Sequence, residues 1–390
     1  MGHRTVAAGV AAVIRTRARP ESLFASWLLD SGIQAPEGFF FDWYDLDRGT
    51  FHLAYPEITG YGISTLCWLA REARDPDLLE RASAASRWLT DVALDRSTRM
   101  VPNRVGSPES ERSALYGFDT GIAAAGLFRL CSAKPDTALR DIVIEVCDSL
   151  RSRLLGEGGT FWPMLDARSH SPLAHEGKWS TRFSGYQAKT LMVFALRHAR
   201  RETTGDEVQD VVRVLETVCA QQDESGAFPS LPGGETHLHP HLYALEGLLV
   251  AAEALERRDW LDAVRRGYGY AERLFRRHGY MPTQASSQRV TVPYERVDIL
   301  AQVLRMGSAL TSLGYLDRGH LDEELALAKA RLLRLQVDRG QQFGGFLFGS
   351  DFTGSRPNHV NSWGSFFAGQ ALRWYTLARE GQRIDVMELV

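Results

Sequence analysis

The chain is short of several things, and each shortage argues against a class of protein. It has only four cysteines in 390 residues. Cys67, Cys131, Cys147 and Cys219 all lie in apolar, helix-patterned stretches, and none belongs to a CxxC or Cys/His cluster. That disfavours a disulfide framework or a thiolate metal site and leaves buried free thiols as the expectation. Charge of one sign is never concentrated: 45 basic and 48 acidic residues give a net charge of -3. No segment gathers Lys and Arg as a phosphate-tracking surface would, so no nucleic-acid partner is expected. The basic residues are mostly Arg, scattered through pieces such as RRDW and RRGY, and read as solvated faces and helix C-terminal charges. The apolar patch at 6–14 is too short to span a bilayer and marginal as the core of a signal peptide. Arg15, Arg17 and Arg19 follow it where a small-residue cleavage site would be needed. A cytoplasmic protein without a membrane partner is expected. A Pro/Gly/Ser-rich linker is also missing, so residues 1–390 read as one domain, with 1–19 as a flexible N-terminal segment.

What is present is a repeat. Six segments are rich in Ala, Leu and Gly and poor in charge, starting near Tyr61, Gly121, Gly185, Pro240, Asp298 and Gly364, about 60 residues apart. A helix apolar over most of its circumference is buried on most sides. Between these segments, 77–93, 136–154, 206–221, 260–278 and 321–337 carry apolar residues at three- and four-residue steps among many charges, and 20–30 supplies a sixth such stretch. Asp77 and Asp136 are placed to cap two of them. Strand signals are few, confined to short pieces such as GGFLFGS and GAFPS. Six buried helices alternating with six amphipathic ones predict an all-α (α/α)6 toroid, with inner helices around a central cavity and outer helices facing solvent. A two-domain bundle is the competitor, and the missing linker disfavours it.

In such a ring all inner helices point their N-termini to one face. The loops feeding them, 40–60, 101–120, 156–184, 223–239, 280–297 and 341–363, are the long ones and concentrate aromatic and ionisable residues. That face is the expected site, and its helix N-termini favour an anionic or hydroxyl-rich ligand.

The motifs at these junctions resemble those of the six-hairpin glycosidase superfamily, in particular members associated with polysaccharide and sugar biosynthesis. YPEITGYGISTLCWLA resembles a Y-P-E-V-T-G-Y segment, and GFDTGIAAAGL an F-[ND]-T-G-Q-V-L-x-G-L helix start in which Ile122 replaces the usual Gln. THLHPHLYALEGLL resembles T-H-x-I-A-Y-x-x-x-G-L-L, and ILAQVLRM an A-Q-L-A helix. GGFLFGSDF and NSWGSFFAGQAL resemble the closing segment of the same proteins, so the likeness runs over 55–372. It implies the (α/α)6 fold and carbohydrate activity, which in that superfamily covers glycoside hydrolases, polysaccharide lyases and sugar epimerases.

The candidate site residues follow from the junctions. Glu57, beside Tyr55 and Tyr61, and Asp119 open the first two inner helices, where a carboxylate serves as acid, base or hydroxyl ligand as well as a helix cap. Trp162, Lys178, Trp179, Arg182 and Tyr186 offer sugar-stacking rings and cationic clamps. His237, His239 and His241 alternate. In an extended loop they would share one side, but no accompanying ligand motif supports a metal, so proton transfer is the stronger reading. Glu246 is a carboxylate on an apolar helix, facing either the cavity or a buried cation. Tyr294, Glu295 and Arg296, then Asn358, His359, Asn361 and Trp363, stand at the last two junctions.

These residues point to general acid/base catalysis on a sugar or oligosaccharide without metal or cofactor. A sugar epimerase or isomerase, acting on a uronate or related sugar, is the first expectation. His239, His241 and Tyr294 would move protons, with Glu57, Asp119, Glu246 and Glu295 assisting. A glycoside hydrolase would instead need two carboxylates about 5–5.5 Å or about 6.5–9.5 Å apart, a lyase a Tyr or His beside a uronate-neutralising Arg. A non-catalytic glycan-binding toroid would show stacked aromatics without a perturbed titratable pair.

Overall fold

The computed structural model describes residues 20–106, 114–175, 178–286 and 289–390. The apolar patch at 6–14 and the segment 1–19 lie outside them. Among the described residues the helices alternate between two rings. The outer ring comprises α1 (Pro20–Asp30), α3 (Asp77–Trp88), α5 (Thr137–Leu154), α8 (Gly205–Ala220), α10 (Arg258–His278) and α12 (Glu324–Leu333). The inner ring comprises α2 (Pro56–Ala73), α4 (Gly117–Ala133), the broken pair α6 (Gln187–Thr190) and α7 (Met192–Ala199), α9 (Leu238–Ala254), α11 (Val297–Ser312) and α13 (Ser362–Arg379). Each inner helix packs on the next, and α13 returns to α2, closing the (α/α)6 toroid that the repeat predicts.

The contrast between the rings follows from side-chain pattern. Every residue of α9 from Leu238 to Ala252 is buried. On α10, by comparison, Trp260, Val264, Ala271 and Phe275 turn inward at helical spacing while its arginines face out. Except for α6, which begins at Gln187, inner helices start one to five residues before the apolar runs, because their first turns hold polar residues that a hydrophobic pattern does not register. Asp136 caps α5 by accepting from the Leu139 N–H at 3.1 Å. Asp77 is not a cap: it lies inside α3, with Pro76 at the cap position. A capping box at α8, Thr204 with Glu207, carries the same signature and was not anticipated.

Small residues set the closeness of the inner ring. A Cβ on Gly126 would sit 2.5 Å from the Gly60 carbonyl oxygen, and one on Gly247 would sit 2.2 Å from the Ala188 carbonyl carbon. Both neighbours are backbone and cannot step aside. Gly247→Ala should therefore destabilise the fold by about 1–3 kcal/mol through overpacking, despite the better helix propensity of Ala. A urea midpoint that is unchanged or raised at constant slope would contradict this packing.

The strands are shorter and differently placed than GGFLFGS and GAFPS suggest. β1 (Trp43–Asp45), β2 (Thr50–Phe51) and β10 (His359–Asn361) form one sheet, joining the first long loop to the last. β3 (Val101–Pro102), β4 (Ala114–Tyr116), β5 (Met164–Asp166) and β6 (Pro172–Leu173) join the second and third loops. β7 (Thr236–His237), β8 (Gln284–Ala285) and β9 (Val290–Val292) join the fourth and fifth. GGFLFGS contributes only isolated bridges at Phe346, Leu347 and Gly349, and GAFPS forms no strand. Strands of two or three residues are too short to show an alternating pattern. Their effect is to tie the loops in pairs across the site face.

All four cysteines are free, three of them buried and Cys219 half-buried. Among the described residues no helix is long and apolar enough to cross a membrane.

Candidate active site

A cavity of about 170 Å³ opens where the inner helices begin. All six repeats reach it: Tyr55 and Glu57 from the first, Asp119 from the second, Lys178 and Trp179 from the third, His239 and Tyr243 from the fourth, Arg296 from the fifth and Trp363 from the sixth. The loop-to-helix junctions thus converge as the toroid predicts.

One wall is acidic. Glu57 and Asp119 start adjacent inner helices, both buried. Burial pushes the Glu57 carboxyl up to about 7, against the pull of the Tyr55 hydroxyl and of Lys189. Burial, then the Glu57 charge, raises Asp119 well above the ordinary carboxylate range. The two buried acids thus raise one another's affinity for a proton. Asn103 links this wall, donating to the Tyr55 hydroxyl and, at 3.1 Å, to Asp119 Oδ2. Arg104 lies over the Tyr55 ring, 5.2 Å from its centroid, and its Nε donates to buried Asp42 at 3.0 Å.

The opposite wall carries His239. Its Nδ1 lies 2.8 Å from Gln302 Oε1 and 3.4 Å from Asp298 Oδ2. With oxygens on that side, the network assigns the proton to Nδ1 and leaves Nε2 as an acceptor. Burial lowers His239 to about 4 even though Asp298 works to raise it. The ring is therefore neutral at physiological pH. Asp298 is held in turn by Arg296 and by Trp363 Nε1 at 3.1 Å. Burial works to raise its carboxyl, but the Arg296 guanidinium overrides this and keeps it ionised. Trp179 stands edge-on to His239, 5.8 Å between centroids, and the Tyr243 ring lies 4.2 Å from it.

Several expected residues are placed elsewhere. The three histidines do not share a side, because helix α9 begins at Leu238 and a two-residue step in a helix turns about 200°. His237 becomes the cap of α9, accepting from the His239 N–H at 3.2 Å, with Nε2 3.4 Å from Arg296 Nη1. His241 points away from the cavity, accepting from the Phe228 N–H at 3.2 Å and reaching the Gly267 carbonyl at 3.1 Å. Glu246 is sealed beneath the cavity between Lys189, 2.7 Å away, and Arg305. Tyr61 is buried at that level, under the Lys189 ammonium. Glu295 pairs with Arg331 in a separate cleft that also holds Tyr294 and Asn358, the latter donating to Asp47. Trp162 and Arg182 line a different groove. Tyr186 is buried, donating to the Ser180 carbonyl at 3.1 Å. His359 stacks on Trp43 at the rim, and Asn361 caps α13 by accepting from the Gly364 N–H at 2.8 Å.

The cavity also contains residues that the sequence did not single out. Asn103, Arg104 and Tyr116 come from loop stretches with no motif. Tyr243 had a signal, standing one helical turn after His239. Beneath the cavity, Gln302, Arg305 and Lys189 had one too, as polar groups on otherwise apolar inner helices. Among the described residues one group with metal-ligand geometry occurs, Glu272, His320 and Glu324, with donor atoms within 4.8 Å of one another. It lies among the outer elements, where Arg276 already pairs with both glutamates.

No protein-family model matches the chain, and no curated protein sequence does either. Solved structures do resemble it. Cellobiose 2-epimerase from Spirochaeta thermophila superposes with a TM-score of 0.75 at 15% identity, over 92% of this chain and 96% of its own. A D-mannose isomerase gives 0.71 at 9% identity, over 91% and 96%. An unsaturated glucuronyl hydrolase specific for heparin gives 0.69 at 11% identity, over 94% and 98%. At such identities the shared property is architecture, and on that ground the chain is an (α/α)6 toroid.

Proposed function

We propose that the chain is a carbohydrate-active enzyme that moves a proton at a stereocentre of a single sugar, an epimerase or isomerase of an aldose or uronate. The observation that carries this is the placement of a buried imidazole, His239, and a buried carboxyl, Glu57, at one cavity on opposed helices. α2 and α9 are the first and fourth of six inner helices, so Glu57 and His239 approach a bound ring from opposite sides. Inverting a carbon next to a carbonyl needs that arrangement. His239 Nε2 takes the proton from the carbon, the electron pair moves onto the carbonyl oxygen, and the Glu57 carboxyl returns a proton from the other face. Lys178 and Arg296 supply positive charge for the enediolate or for a uronate, and Trp179 and Trp363 offer faces for the ring. At about 170 Å³ the cavity is smaller than an ordinary ligand cleft of roughly 300 Å³ or more, which suits one sugar unit rather than a polymer.

The pH dependence follows. His239 accepts a proton only above about 4, and Glu57 donates one only below about 7. kcat/KM should be flat between these values and fall about tenfold per unit beyond either. An optimum above pH 9 would contradict the assignment. The reaction itself is tested by incubating the protein with free aldoses and uronates in deuterated water. Epimerisation or isomerisation puts one solvent deuterium on the product's inverted or newly protonated carbon. Release of reducing sugar from a glycoside without deuterium in any product would overturn it. That outcome belongs to the second reading, hydrolysis, which two buried acids, Glu57 and Asp119, lining one cavity from neighbouring helices favour.

A further inference from the structure

At the other end of the toroid, where inner helices terminate, lies a second cavity of about 510 Å³, within the range of ordinary small-molecule sites. Four arginines reach it: Arg71, Arg74, Arg129 and Arg200. Its two carboxylates are already engaged. Glu388 pairs with Arg71 at 2.9 Å, and Asp75 accepts from the Asp77 N–H at 3.0 Å. Arg74 and Arg200 extend from exposed helix ends at the mouth.

Arg129 is the unusual member. It is 92% buried (8% exposed) on α4, with Nη1 donating to Ser64 and Nη2 to the carbonyls of Met387 and Leu389. Its Nε–H is buried with no partner among the described residues. Orphaned donors on a buried guanidinium are rare, because desolvating one without a replacement acceptor is unfavourable. Apart from Ser132, the rest of the lining is apolar, with Leu79, Phe128, Leu196 and Met387 its largest side chains. A basic head region joined to an apolar wall matches one kind of ligand.

We propose that this pocket binds a small organic anion, a phosphate or carboxylate head on an aliphatic body. The head accepts from Arg129 and is clamped at the mouth by Arg74 and Arg200, as planar guanidiniums hold phosphate and carboxylate oxygens. The aliphatic part lies on Leu79, Phe128, Leu196 and Met387. The site is separate from the sugar cavity and does not depend on the reaction assigned there.

Titration calorimetry with hexyl phosphate tests it. The wild type should bind with a Kd below about 1 mM, and inorganic phosphate at least tenfold more weakly, since it lacks the aliphatic part. Arg74→Ser and Arg200→Ser alter exposed side chains and should keep the wild-type Tm while each weakens hexyl phosphate about tenfold or more. Lys178→Ala, in the sugar cavity, should leave hexyl phosphate binding unchanged. Absence of binding at about ten times that concentration, equal binding of inorganic phosphate, wild-type affinity in both arginine variants, or loss of binding in Lys178→Ala would each overturn the assignment.

Discussion

Glu246→Ala is expected to destabilise the protein by about 3–5 kcal/mol, because it strands the buried Arg305 guanidinium and removes the carboxylate that supports the Lys189 ammonium, which burial lowers to about 7. Glu246, Lys189 and Arg305 have side chains with no solvent exposure. Lys189 Nζ donates to Glu246 at 2.7 Å and to the Val390 backbone oxygen at 3.1 Å, and Arg305 donates to Glu246, to Gln370 and to the same backbone oxygen. The Phe367 ring lies 4.8 Å from the ammonium and 4.4 Å from the guanidinium, adding cation–π attraction but no counter-charge. Burial alone would raise the Glu246 carboxyl, yet Arg305 and Lys189 hold it below the ordinary range. A depressed folded-state pKa contributes stability above the unfolded value of 4.5 and loses it as the pH falls through the folded one. The cost of Glu246→Ala should therefore be largest at neutral pH and shrink in acid. Urea unfolding at pH 7 and pH 4 measures both. A loss under about 1 kcal/mol at pH 7 would mean that the cluster relaxes or hydrates freely, against the burial described.

His239→Gln should lower kcat/KM by about 10²–10⁴-fold while leaving the far-UV spectrum and Tm close to wild type. The side chain lines the cavity, and an amide in its place can still contact Gln302 without accepting the substrate proton. His241→Ala should do the reverse. That ring joins Phe228 to Gly267 between an inner and an outer helix, so its loss leaves a buried N–H and carbonyl unpaired and costs about 1–3 kcal/mol or more. Activity per folded molecule should survive. If His241→Ala abolishes turnover at unchanged stability, or His239→Gln retains it, the roles are reversed and the proton-transfer assignment falls.

Much of the architecture could be read from the sequence because it rests on period and composition. Inner segments such as LYALEGLLVAAEA are apolar on nearly every side, outer ones such as WLDAVRRGYGYAERLFRRH on one side only, and that contrast repeats about every 60 residues. Burial against neighbours is the one stable outcome for the first kind, and six repeats close a ring. The small residues of the inner helices foretold their close approach, which Gly126 and Gly247 realise. That the junctions would converge also followed, since every inner helix begins on the same face.

The direction of each side chain was decided by the tertiary structure. His237, His239 and His241 are equivalent in sequence. The start of α9 at Leu238 sends one to a helix cap, one into the cavity and one into the packing between helices. Glu57 and Glu246 both sit on apolar inner helices. The first faces the cavity beside Asp119, and the second faces Lys189 and Arg305, whose own helices bring them within reach from 57 and 59 residues away in the chain. A carboxylate's role depends on which charges the ring places beside it, and that distance in space has no counterpart in distance along the sequence.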